Sequence, residues 1–107
     1  MNITVIKTTC KDKKEAKKIA NILLEKRLAA CIQISSIESL YTWENRVCNE
    51  KEKLLLIKTK TKLFEKVKRK IKENHSYDVP EIILIDIKNS TKEYKKFIGE
   101  NTKWVIF

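Results

Sequence analysis

ACIQISSIESLYTW at residues 30–43, the polar ENR at 44–46 and KLLLIKT at 53–59 together decide the fold. The first segment is rich in β-branched and aromatic side chains and reads as a strand, long for its kind, with an expected bulge at Ser35-Ser36. Asn45 tolerates a left-handed backbone, which places the turn at Glu44-Asn45-Arg46. Leu54, Leu55, Leu56 and Ile57 follow one another without a polar break, the pattern of a strand buried on both faces. The two strands and the turn make an antiparallel hairpin. Its reach exceeds what a four-stranded sheet of this size can pair. Tyr41 and Trp43, two residues apart near its end, share one face and are expected to meet a partner subunit.

Working outward, residues 2–9 alternate β-branched and polar side chains and predict a first strand. Asp12 followed by Glu15 is a capping-box start for a helix that ends near Arg27, with Ala16, Ile19, Ala20, Leu23 and Leu24 inward and the lysines between them in water. After the hairpin, Thr61 is placed to cap a second helix that turns Leu63, Phe64, Val67 and Ile71 inward. Pro80 closes the connection from His75 by forbidding helix at Val79. Residues 81–88 predict another strand. Ser90 with Glu93 forms a second capping box, for a short helix burying Tyr94, Phe97 and Ile98, and residues 104–107 predict a last short strand. The order is β-α-β-β-α-β with an extra helix and strand at the C-terminus. It predicts an α+β, ferredoxin-like antiparallel sheet with both crossover helices on one face. One Gly, one Pro and no repeats leave residues 1–107 as a single domain.

A chain of 107 residues buries only part of its surface, so self-association is an economical way to add core. No apolar run approaches the roughly 20 residues of a membrane span. The start at Met1 without a leader-like segment, together with three scattered cysteines (Cys10, Cys31 and Cys48), predicts free thiols in the cytoplasm. The formal charge is +10, and only Arg27, Arg46 and Arg69 among the 24 basic residues are arginine. Specific phosphate or base readout recruits arginine forks, so lysine in this excess predicts a solvated surface and, at most, weak salt-sensitive nucleic-acid association. The strand order is also that of an RNA-recognition module, yet neither residues 3–8 nor 54–60 hold an aromatic on which a base could stack.

Catalytic motifs are absent. With Gly99 as the sole glycine there is no phosphate-cradling loop, and with His75 as the sole histidine there is no zincin pair. A Cys31–His75 nucleophile pair has no third orienting group, and the chain is expected not to be an enzyme. As metal ligands, Cys31 and His75 offer thiolate and imidazole, suited to copper or zinc, with further ligands supplied across a subunit interface.

Four blocks in register carry a family resemblance: LAACIQI at 28–34, SLYTWE at 39–44, LIKT at 56–59 and HSYDVPE at 75–81. Together they resemble the CutA divalent-cation tolerance proteins over nearly the whole chain. The resemblance implies a ferredoxin-like homotrimer, built through the long hairpin, similar in architecture to the PII signalling proteins and linked to tolerance of copper and other divalent metals. It implies a cleft between subunits drawing on Glu44, Lys58, Tyr77 and Glu81 beside Cys31 and His75, with Tyr41 and Trp43 at the trimer interface and Glu81 as the partner of Lys58. No cofactor is required by this reading; copper or another divalent ion is the expected ligand. The chain departs from the family pattern at Thr8, where some relatives have cysteine, and at Asn74, where some have a second histidine. Ser76 stands for a usual Pro, Asn45 for Gly and Phe97 for Trp. Two other functions compete with the metal reading: a PII-like sensor of small anions, and a lysine-driven nucleic-acid binder without sequence preference.

Overall fold

Strand β1 (Ile3–Cys10) leads into helix α1 (Lys13–Glu25), followed by β2 (Cys31–Trp43), β3 (Arg46–Lys60), a 3-10 turn (Thr61–Leu63), α2 (Phe64–Asn74), β4 (Ile83–Asp86) and α3 (Lys92–Glu100). These assignments come from a computed structural model that describes residues 1–104. The strand expected at residues 104–107 falls, beyond Trp104, outside the described residues. The four strands pair antiparallel in the order β2-β3-β1-β4, the order a split β-α-β chain requires.

One face of the sheet forms the core. Ile6, Leu55 and Ile57 meet Ala16, Ile19 and Leu23 of α1 and Leu63, Val67 and Ile71 on the α2 side, all fully buried. Each large side chain so removed from water contributes about 1.5–3 kcal/mol. Strand residues alternate between faces, so Leu54, Leu56 and Lys58 point to the second face. That face is only partly covered: Leu54 and Leu56 are half-buried, and Ile83 and Ile85 are exposed. The double-sided burial expected for residues 53–59 is therefore met on the helix side alone within one chain. Towards Lys58 the second face is covered by α3, where Tyr94 Oη accepts from Lys58 Nζ at 3.2 Å.

The hairpin register runs unbroken from Cys31 opposite Lys58 to Trp43 opposite Arg46. The expected bulge at Ser35-Ser36 is absent, because Ser35 pairs Leu54 and Ser36 pairs Lys53 without an inserted residue. Glu44 and Asn45 alone make the turn, with φ of 49° and 61°, the double left-handed geometry of a type I′ loop, and Arg46 already belongs to β3. Because β1 stops at Cys10 opposite Lys53, residues beyond that level project as a two-stranded ribbon. Leu40, Trp43 and Val47 on this ribbon are 66%, 57% and 79% exposed.

Four details differ from expectation. Thr61 begins a 3-10 turn rather than capping α2, and no side chain caps that turn. The N-cap of α3 is Thr91, whose hydroxyl accepts from Tyr94 N–H at 3.2 Å, so the helix starts one residue later than Ser90 would place it. It buries Ile98 and Gly99, whereas Tyr94 is half-buried and Phe97 exposed. Only residues 83–86 of the expected 81–88 strand pair with β1.

Candidate functional site

At the end of β1 the chain turns through Asp12, whose carboxylate accepts from Glu15 N–H at 2.9 Å and starts α1. Glu15 therefore lies in the first helical turn. Its side chain turns away from the cap: Oε2 accepts from Ser76 N–H at 3.1 Å, and Oε1 is buried with no hydrogen-bond partner among the described residues. The segment that meets it comes from the end of α2. Asn74 Nδ2 donates to Lys70 O at 2.9 Å, and the backbone becomes extended at His75. The imidazole is fully enclosed. Its Nε2 donates to Thr9 O at 2.7 Å, and its Nδ1 accepts from Tyr77 N–H at 3.1 Å. A carbonyl can only accept and an amide can only donate, so the ring proton sits on Nε2.

His75 Nδ1 lies 3.8 Å from Glu15 Oε1, and with Cys10 Sγ the three donor atoms fall within 4.8 Å of one another. Burial pushes the Cys10 thiol from 9.0 up to about 12, with Glu15, Asp12 and Glu52 adding to the rise. The Tyr77 ring packs tilted against the imidazole, centroids 4.9 Å apart, and its hydroxyl donates to Glu52 Oε2 at 2.7 Å. Burial, then the bond to Glu52, holds that phenol well above its ordinary range.

On the outer side of the His75 segment opens a cleft of about 600 Å³. Tyr41, Trp43 and Tyr77 supply its aromatic wall, and Glu50, Glu52, Asp78 and Glu81 its charge. No Lys or Arg is among the described residues that line it, although the chain carries +10 overall. The Tyr41 phenol is raised to about 12, first by the nearby Glu50 carboxylate. Thr9, Ser76 and Tyr77 belong to both regions, lining the cleft on one side and bonding to Glu15 or His75 on the other.

The residues singled out in the sequence are partly gathered here. Tyr41, Trp43, Tyr77 and Glu81 share the cleft. Glu44 stands at the exposed tip of the hairpin. Lys58 lies elsewhere, on Tyr94; its expected partner Glu81 sits on Lys7, at 3.5 Å. Cys31 faces Lys58 across β2 and β3, whereas His75 packs where Cys10 pairs with Lys53. Those levels are five residues apart on β3, about 17 Å, so within one chain Cys31 and His75 do not meet. Sequence reasoning did not bring Glu15 and Cys10 together with His75; the first was taken for a cap partner and the second for a free thiol. Their one signal was spacing: a thiol at a strand end and a carboxylate in the first turn of the next helix.

The whole chain can be set against known proteins. The family model described as CutA1 divalent ion tolerance protein matches residues 4–101. The chain belongs to the CutA1 family. It is 38% identical over 99 residues to the divalent-cation tolerance protein CutA of Pyrococcus horikoshii, covering 92% of this chain and 97% of that protein. To the chloroplastic protein CutA of Arabidopsis thaliana it is 37% identical over 100 residues, 92% of this chain but 55% of the relative, so it spans about half of that protein's length. The crystal structure of CutA1 from Oryza sativa superposes with a TM-score of 0.93 at 36% identity, covering 96% of this chain and 95% of the other. Set against the CutA1 pattern, Thr8 shares its strand face with Cys10, and Asn74 is committed to closing α2. A divalent ion fits the donor chemistry of Cys10, Glu15 and His75. It does not fit Cys31 with His75 unless a neighbouring chain brings them together.

Proposed function

We propose that this chain is a non-catalytic CutA-type protein that assembles as a homotrimer and binds a divalent cation such as Cu²⁺ or Zn²⁺. The observation that carries the reading is the concentration of four carboxylates beside the uncovered end of the hairpin on an otherwise basic molecule. Such a cleft draws cations and repels anions. Small-anion sensing of the PII kind is the weaker reading for the same reason, since Lys58 points away from it. Exposed Trp43, Leu40 and Val47 on the ribbon, and Ile83 and Ile85 on the open sheet face, supply apolar surface for association. The cytoplasm is the proposed compartment; "chloroplastic" in the name of the Arabidopsis relative is said of that protein. Cell fractionation checks the assignment.

Light scattering coupled to size exclusion, run with Cu²⁺, with Zn²⁺ and without metal, tests the assembly. A trimer in all three supports the reading, and Trp43→Glu then dissociates it. A monomer throughout at micromolar concentration overturns it. Equilibrium dialysis on the same samples counts bound ions, and the reading requires a stoichiometric divalent cation.

A further inference from the structure

We propose that Cys10 Sγ, Glu15 Oε1 and His75 Nδ1 form a cation site inside each chain, suited to a borderline divalent ion such as Zn²⁺ or Co²⁺. The inference rests on the divalent-cation reading above and names the residues that would carry it. Its starting point is the Glu15 carboxylate. The residue is 9% exposed, and Oε1 has neither a donor nor water-facing surface. An acceptor left in this state is costly, and a cation is the partner that relieves it.

The imidazole is prepared for the role. Nε2 donates to the Thr9 carbonyl, which orients the ring as metal-bound histidines are oriented by a hydrogen bond on the far nitrogen. The lone pair on Nδ1 faces the carboxylate side, now shared with the Tyr77 amide at 3.1 Å. An ion takes that lone pair and releases the amide towards the cleft. Thiolate, imidazole and carboxylate are the donor set of zinc. Around a tetrahedral ion with bonds of about 2.0–2.3 Å, ligand atoms stand about 3.3–3.8 Å apart. The trio spans up to 4.8 Å, so closure needs a contraction of about 1 Å. Cys10, Glu15 and His75 come from three separate elements, a strand end, a first helical turn and a loop start, whose relative shift would supply it. Three protein donors leave a fourth position open. The acidic cleft reaches the trio at Ser76 and Tyr77 and gives the ion its approach.

The test is a Co²⁺ titration of the full chain under reducing conditions, followed by sulfur-to-cobalt charge-transfer absorption, with Zn²⁺ competition for affinity. Wild type and the Cys31→Ser/Cys48→Ser double variant should each take one ion per chain and show the band. Cys10→Ser should lose the band and bind Zn²⁺ roughly hundredfold more weakly. Glu15→Gln should weaken binding by about tenfold or more yet melt at a higher temperature than wild type when metal-free, because the unpartnered charge is gone. That opposed pair of effects separates a ligand from a merely structural residue. A band that survives Cys10→Ser, or that vanishes in the double variant, overturns the site while leaving a divalent-cation protein. Failure of wild type to take up either ion overturns both.

Discussion

Arg27 shows how much one backbone angle can fix. At φ 57° it sits in the left-handed region and ends α1: Leu28 N–H reaches Leu23 O at 2.8 Å and Arg27 N–H reaches Leu24 O at 3.0 Å, a Schellman closure. An arginine there costs about 1 kcal/mol more than glycine, offset by its own contacts. Its guanidinium donates to Glu100 O at 2.8 Å at the end of α3, and its carbonyl accepts from Lys103 N–H at 2.8 Å. Arg27→Ala, which keeps the strain and loses the guanidinium bond, should destabilise by about 1 kcal/mol in urea unfolding. Arg27→Gly loses the same bond but sheds the strain, and should fall within about 0.5 kcal/mol of wild type. Lys60 is a second case. Its Nζ donates to Thr102 O at 3.3 Å and Lys103 O at 3.1 Å and lies over the Trp104 ring, 3.7 Å from its centroid. Burial, then the charge of Arg27, lowers its pKa from 10.5. Between the lowered value and 10.5 the unfolded chain is the more protonated at this group, so the group's contribution to stability rises with pH. Wild type should therefore gain on Lys60→Met as pH climbs towards 10.5, measured by unfolding the two in parallel. Local chemistry of this kind was only half legible in the sequence. Asp12 could be read as a cap from its neighbours, but Glu15 meets Ser76 across 61 residues, a contact no local pattern encodes.

At the scale of elements, the hairpin is where local pattern spoke most clearly. Its two strands and its turn followed from alternation and from Asn45. The serine pair did not mark a bulge, since small polar residues also fit an ordinary ladder facing solvent. Asn45 at φ 61° is tolerable, and glycine is easier. Asn45→Gly should stabilise by about 0.5 kcal/mol, seen as a rise of roughly 2–4 °C in Tm. Strand β4 was overestimated for a related reason. One apolar residue, Ile87, follows Asp86, but pairing is bounded by β1, and among the described residues only its N–H reaches across beyond Asp86, to Ile3 O at 3.2 Å. Phe97 was expected inside because helical spacing puts it beside Ile98. It instead stays at the surface, its ring 5.5 Å from that of Tyr94. Periodicity says which residues share a face, and not how far the facing surface extends.

For the whole molecule, strand order was legible because two β-α-β units leave few connections that avoid crossing. The gathering of carboxylates at one cleft was not, because Glu50 and Glu52 reach it from the ribbon and Asp78 and Glu81 from a loop. Charge also sets a condition on the proposed trimer. Copies that each carry +10 repel one another, so raising salt within the screening range should strengthen association, read as a rising fraction of trimer at fixed concentration. The ribbon has a further consequence, for the time course of folding. Every pair in it closes through a two-residue turn, whereas β1 must find β3 across some fifty residues of chain, from Ile3 opposite Lys60 to Cys10 opposite Lys53. Loop-closure entropy then favours the hairpin as the nucleus onto which β1 and β4 dock. Asn45→Gly should accordingly speed refolding and leave the unfolding rate nearly unchanged in stopped-flow chevrons, whereas Ile6→Val, at the late-docking centre strand, should act mainly by speeding unfolding.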